Sequence, residues 1–219
     1  MRSVLITGGT VRLGAAIANR LRAEGWRVIT SSHRADAGAD IVADLAEPMG
    51  AAKLYAATLQ MLGGMPPDAL VNNAALFTGD ETAIKAINLE APKKLTVMMA
   101  GREAGVGAVV NILDSGVLGS AGSEVTLSDP KRPYLDSKRE LAAFTLSSAA
   151  TFAVTLRVNG VAPGPVMAPT DVHEQAGEML LDRRPTAVDV AAAVSYLLSA
   201  EATTGTIIPV DAGQHLLEG

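Results

Sequence analysis

Short apolar runs alternate along the chain with longer segments in which apolar positions recur every three or four residues. The runs at 3–7, 27–31, 40–43, 69–72, 108–113, 153–158 and 206–210 predict strands. The segments at 13–24, 48–62, 80–103, 133–150 and 186–199 predict helices. In the first helix Ala15, Ile17, Ala18 and Leu21 fall at helical spacing and Gly25 ends the segment; the third helix carries Pro92. Several strands are apolar at every position, as strands covered on both faces are. Strand and helix alternating at these lengths imply βαβ units, and hence an α/β protein on a doubly wound, mostly parallel sheet. Residues 114–132 and 162–170 are rich in turn formers and predict loops, and the polar stretch running to Arg184 reads as a mobile lid. No repeat or linker divides the chain, so residues 1–219 are expected to form one domain.

Composition narrows the chemistry. Aromatics are 3% against 48% hydrophobic residues, so the core is expected to be aliphatic. A net charge of -5 argues against a nucleic-acid-binding face. With no cysteine, disulfides and thiolate chemistry are excluded. No apolar run reaches the length of a membrane span and no leader precedes the first strand, so a cytoplasmic enzyme is expected. His33, His173 and His215 have no ligand spacing, so no metal is expected, and His173, in the lid, reads as solvated.

The first chemical motif is Thr7-Gly8-Gly9-Thr10-Val11-Arg12-Leu13-Gly14, between the first strand and the first helix. Backbone N–H groups and a helix N-terminus in that setting form a phosphate cradle, which implies a Rossmann-type nucleotide site. Gly8 and Gly14 match the outer glycines of the TGxxxGxG spacing, and Arg12 replaces the middle one, putting a fixed charge beside a diphosphate. The second strand runs into Ser31-Ser32-His33-Arg34 with no carboxylate to hold a ribose 2′-hydroxyl. Arg34, with His33 and Ser32 as donors, suits a 2′-phosphate, so NADP(H) is the expected cofactor. Asp44 and Leu45 follow the third strand and are expected at the adenine.

Tyr134 and Lys138 lie one helical turn apart and share a face. An ammonium beside a phenol stabilises the phenolate, so the pair suits proton transfer to a carbonyl or imine as a hydride arrives. The pair follows Asn72-Asn73-Ala74 after the fourth strand, Asn88 in a long helix, and a polar end to the fifth strand.

That order of parts, with Arg157-Val158-Asn159 and Pro163-Gly164, resembles the short-chain dehydrogenase/reductase family over nearly the whole chain. The resemblance implies that Tyr134 is the general acid/base. It implies that Lys138 bonds the nicotinamide ribose and tunes Tyr134, and that Asn88 holds a proton-relay water. Leu13, Asn73 and Ala74 join the cofactor set, and Pro163 and Gly164 line the nicotinamide. Asp114 stands where the family has a serine, with Ser115 beside it, and a carboxylate there suits protonation of a ring nitrogen. Arg12, His33-Arg34, Asp114 and Phe77 together resemble pteridine reductases and dihydromonapterin reductases. By that resemblance Phe77 stacks on a pterin, Arg12 contacts both pterin and cofactor phosphate, and Asp114, Tyr134 and Lys138 handle the protons. The family also implies a homotetramer packed through 80–103, 133–150 and 207–217. The segment between Asp114 and Tyr134 is longer than the family pattern, so 122–132 is expected to reshape the pocket, under a reduced lid.

Two other functions compete with a pterin reductase. A reductase of another carbonyl, such as a 3-oxoacyl thioester or a ketone, would not need Arg12, Asp114 and Phe77 together. A non-catalytic NADP(H) sensor would not need a tuned tyrosine.

Overall fold

The computed structural model describes residues 1–103, 105–118, 131–166 and 178–217. The expected loop at 122–130 and the central lid, with His173, lie outside the described residues.

The chain begins with β1 (Ser3–Thr7), α1 (Arg12–Ala23), β2 (Arg27–Ser32), β3 (Ile41–Val42), α2 (Gly50–Met61) and β4 (Ala69–Asn72). It continues through α3 (Glu81–Lys85), a π turn (Ala86–Glu90), α4 (Ala91–Ala100) and β5 (Gly107–Ile112). Then come α5 (Arg132–Thr151), β6 (Leu156–Pro163), α6 (Ala187–Ser199) and β7 (Ile207–Val210). The strands form one sheet in the order β3-β2-β1-β4-β5-β6-β7, and every pairing is parallel. The strand order reverses between β1 and β4, and open α/β sheets bind ligands beside that switch, at the carboxyl ends of the strands.

Alternation along the strands sorts two cores. Val4 and Ile6 pack with Ile17, Leu21, Val194 and Leu197 on the face covered by α1 and α6. Leu5 points the other way and packs with Leu54, Leu95 and Met99 under α2 and α4. Both faces are therefore buried, as the apolar strands require.

Two elements depart from the sequence expectation. The sixth strand is not 153–158 followed by a loop from 162; it runs from Leu156 to Pro163, and Pro163 pairs with Val210. Gly160 and Pro163 look like strand breakers, but a Cβ on Gly160 would stand 2.7 Å from Leu113 Cδ1, so glycine is there for packing. Pro163 is the last residue of the strand, where a missing N–H costs little. The long helix expected at 80–103 is divided by the π turn and ends at Ala100. Pro92 directly follows the π turn, whose altered hydrogen bonding accommodates a residue without an N–H inside the helix.

Candidate active site

The Gly-rich turn is braced from β4. Thr7 Oγ1 accepts hydrogen bonds from the backbone N–H groups of Asn73 and Ala74, both at 3.0 Å. Asn73 Nδ2 returns two bonds at 3.0 Å, to the carbonyls of Thr7 and Gly8. The Asn73 amide thus grips the turn itself, a role that spacing alone does not reveal. Gly8 has φ +62, and a Cβ on Gly14 would lie 2.0 Å from the Gly8 carbonyl oxygen. Arg12, in the middle glycine's place, also adopts a left-handed φ of 50. Leu13 packs against the core. No side chain caps α1 and its first turn carries no acid, so its amides and dipole are left to an anion. These features fit a cofactor diphosphate.

At the end of β2, Ser32 Oγ accepts from the Arg34 amide at 3.1 Å, and His33 is exposed. Arg34 is engaged within its own turn, donating through Nε and Nη2 to Asp36 at 2.9 and 2.7 Å. Of the pair expected at the adenine, Asp44 accepts from the Ala46 amide at 2.8 Å. The Leu45 side chain is buried among Ile29, Ala51 and Leu54, so only its backbone remains for a ligand.

The groups expected to handle protons converge where β5 meets α5. Tyr134 Oη donates to Asp114 Oδ2 at 2.9 Å, and Asp114 Oδ1 accepts from the Gly116 amide at 2.9 Å. Lys138 Nζ donates to the Ile112 carbonyl at 2.8 Å and lies 5.7 Å from the centroid of the Tyr134 ring. Burial pushes the Lys138 ammonium down to about 8, against the opposing pull of the Asp114 charge. Phe77 meets Tyr134 with ring centroids 4.7 Å apart and planes tilted by 58°, and Lys131 Nζ stands 5.7 Å from the Phe77 centroid. Ser115 is buried beside Asp114.

Asn88 occupies the π turn, and its fully buried amide ties three parts of the site together. Its Oδ1 accepts from the Leu76 amide at 2.8 Å. Its Nδ2 donates to the Leu76 carbonyl at 2.9 Å and to Ser137 Oγ at 3.1 Å. Ser137 in turn donates to the Tyr134 carbonyl at 2.6 Å. The side chain of Asn88 is thus engaged with protein groups next to Phe77 and Tyr134. Sequence reading missed Ser137, although it lies one residue before Lys138 on the same helix. It also missed the buried chain from Asn72 Nδ2 to Asn111 Oδ1 at 2.8 Å and from Asn111 Nδ2 to Thr145 Oγ1 at 2.9 Å, which crosses from β4 through β5 to α5. Gly164 completes the site edge: its N–H donates to the Val210 carbonyl at 3.0 Å, and a Cβ on it would meet Asp211 at 2.7 Å.

A family model described as enoyl-(acyl carrier protein) reductase matches residues 11–215. The chain belongs to the short-chain dehydrogenase/reductase family. It is 32% identical to a protein of Streptomyces violaceoruber named as ketoacyl reductase 2 of the granaticin polyketide synthase, over 97% of this chain and 96% of that one. It is 30% identical to 3beta-hydroxysteroid dehydrogenase 1 of Eggerthella lenta, over 100% of this chain and 95% of that one. Among solved structures, FolM alternative dihydrofolate reductase 1 of Brucella canis, complexed with NADP, superimposes with a TM-score of 0.82 at 30% identity. That superposition covers 98% of this chain and 94% of the other. As a family member the chain is an oxidoreductase that uses a nicotinamide cofactor and acts on a small molecule. Among the described residues, no helix is long and apolar enough to cross a membrane.

Proposed function

We propose that this short-chain reductase is NADPH-dependent and acts on a flat nitrogen heterocycle, a pterin. The observation that carries the reading is the contact of the Tyr134 hydroxyl with the Asp114 carboxylate directly beside the Phe77 ring. A ketone reductase needs one proton donor beside a carbonyl; a carboxylate bonded to that donor suits a ring nitrogen that must take up a proton. Phe77 offers an aromatic wall for a planar ring. The likeness to FolM supports the same direction.

The uncapped start of α1 with Gly8, Arg12 and Gly14 would hold the diphosphate, and Ser32, His33 and Arg34 the 2′-phosphate. Asn73, Ala74, Lys138, Pro163 and Gly164 would surround the nicotinamide end. When bound, NADPH supplies the hydride. The chain supplies the proton: Tyr134 releases it to the substrate nitrogen, the Lys138 ammonium stabilises the phenolate, and Asp114 orients the hydroxyl. Arg12 and Phe77 flank the substrate. The family resemblance also supports a homotetramer, and α4 and α5 offer Val97 and Leu146, 52% and 48% exposed, for its contacts.

The test is NADPH oxidation with a dihydropterin and, separately, a 3-oxoacyl thioester, in wild type and Phe77→Ala. Pterin turnover that collapses in Phe77→Ala supports the proposal. Turnover of the thioester alone replaces it with a ketoacyl reductase, the activity named for the Streptomyces relative.

A further inference from the structure

We infer that Asp36 sets the balance between phosphorylated and unphosphorylated nicotinamide cofactors by holding the guanidinium of Arg34. The inference rests on the proposed role of Arg34 as the 2′-phosphate ligand. Arg34 Nε and Nη2 donate to the two carboxylate oxygens of Asp36, at 2.9 and 2.7 Å. This is the two-pronged geometry in which an arginine also takes a phosphate. The carboxylate therefore fills the same two donors that a ribose 2′-phosphate would use.

The turn keeps the competitor in place. The Arg34 amide is tied to Ser32 Oγ at 3.1 Å, and Asp36 sits inside the one-turn helix Ala35–Ala37 that follows at once. Gly38, with φ +65, closes that turn. When Arg34 leaves for a phosphate, Asp36 stays within the same short loop and faces the added negative charge. A cofactor with a free 2′-hydroxyl meets the opposite situation: the hydroxyl can donate to Asp36 while Arg34 keeps its partner. One carboxylate thus disfavours the phosphorylated cofactor and favours the other.

The pair is open to solvent, with side chains 63% and 70% exposed, so its grip is weak. A phosphomonoester carries about -1.5 to -2 charges and outcompetes a single carboxylate for the fork. Asp36 therefore adjusts a preference that Arg34 establishes.

Dissociation constants for NADPH and NADH, read from nicotinamide fluorescence, test this in wild type, Arg34→Gln, Asp36→Asn and the double variant. Asp36→Asn is expected to tighten NADPH by about two- to fivefold and to weaken NADH. Arg34→Gln is expected to weaken NADPH and leave NADH unchanged, and in that background Asp36→Asn tightens NADPH less than it does in wild type, since only the direct repulsion of the phosphate remains to be relieved. If Arg34→Gln leaves NADPH binding unchanged, Arg34 is not the phosphate ligand and both readings fall. If Arg34→Gln does weaken NADPH but Asp36→Asn leaves the NADPH-to-NADH ratio unchanged, only the Asp36 inference is overturned. An equal gain from Asp36→Asn in both backgrounds also overturns it, since the effect would not pass through the pair.

Discussion

Tyr134 donates its phenolic hydrogen to Asp114 across 2.9 Å, from the first turn of α5 to the residue two beyond the end of β5. The Gly116 amide fixes the other carboxylate oxygen, so the acceptor cannot swing away without breaking a second bond. A serine, the usual family residue at this place, could pair with the phenol but would bring no charge. Replacing Asp114 by serine is therefore expected to lower kcat on a dihydropterin by about 10²-fold, the low end of what a positioned proton-transfer group contributes. NADPH binding should stay within twofold. Steady-state kinetics with a fluorescence titration check both; an unchanged kcat removes Asp114 from the proton path.

Lys138 links activity and stability to pH in opposite senses. Its folded-state pKa is depressed from 10.5 to about 8 by burial. Between those values the unfolded chain binds more protons than the folded one, so this group's contribution to stability rises with pH across that window. Below about 8 the fold carries the full penalty of a buried ammonium. The same proton is needed to stabilise the Tyr134 phenolate, so kcat should fall as pH rises through about 8. In Lys138→Met the stability slope between pH 8 and 10 should flatten relative to wild type and activity should be lost. Thermal melts across that range, paired with a pH–rate profile, test the two signs; parallel slopes in the two proteins would refute the assignment.

Asn88 is predicted to be a positioning residue. Its amide meets the Leu76 N–H and carbonyl and the Ser137 hydroxyl, all next to Phe77 or Tyr134. Asn88→Ala takes the partner from the Leu76 N–H and carbonyl and the donor from Ser137 Oγ, which keeps its bond to the Tyr134 carbonyl, at about 1–3 kcal/mol for each group left unpaired where water does not replace the amide. Urea unfolding should show a loss of a few kcal/mol, and KM for substrate should rise along with the fall in kcat because the Phe77 wall loosens. Asn88→Asp keeps the acceptor for the Leu76 N–H but sets a carboxylate oxygen against the Leu76 carbonyl in a fully buried place, so it should lose at least as much stability as Asn88→Ala; a variant as stable as wild type would deny the amide this role.

Legibility in the sequence followed the physics of each feature. The alternation of apolar strands and amphipathic helices was enough for the parallel sheet, because burial on both faces leaves a pattern in every strand. Tyr134 and Lys138 were legible because helical spacing puts them on one face. Pro163 misled, since local propensity marks it as a breaker while β6 runs up to it and pairs it with Val210. The Arg34–Asp36 pair was missed because reading the end of β2 stopped at the cation. The chain from Asn72 through Asn111 to Thr145 joins residues far apart in sequence, so no local pattern carries it.

Arg12 holds a left-handed φ of 50 at a position where the usual turn has glycine. A non-glycine residue in that region costs about 1 kcal/mol or more, retained only if its side chain contributes something in return. The side chain is exposed at the head of α1, beside amides that no capping group uses. Arg12→Gly should therefore relieve the backbone and raise the melting temperature by a few degrees, less whatever glycine's greater freedom in the unfolded chain removes. The same change removes a positive charge from the diphosphate cradle and should weaken NADPH binding by about tenfold, with a steeper loss at low salt where charge is least screened. Arg12→Ala separates the two effects: it keeps the strained backbone and drops the charge, so binding should weaken without any gain in melting temperature. Scanning calorimetry and titrations at two ionic strengths make the comparison. Binding retained in both variants would reduce Arg12 to a surface residue in an unfavourable conformation and take it out of the cofactor and substrate set.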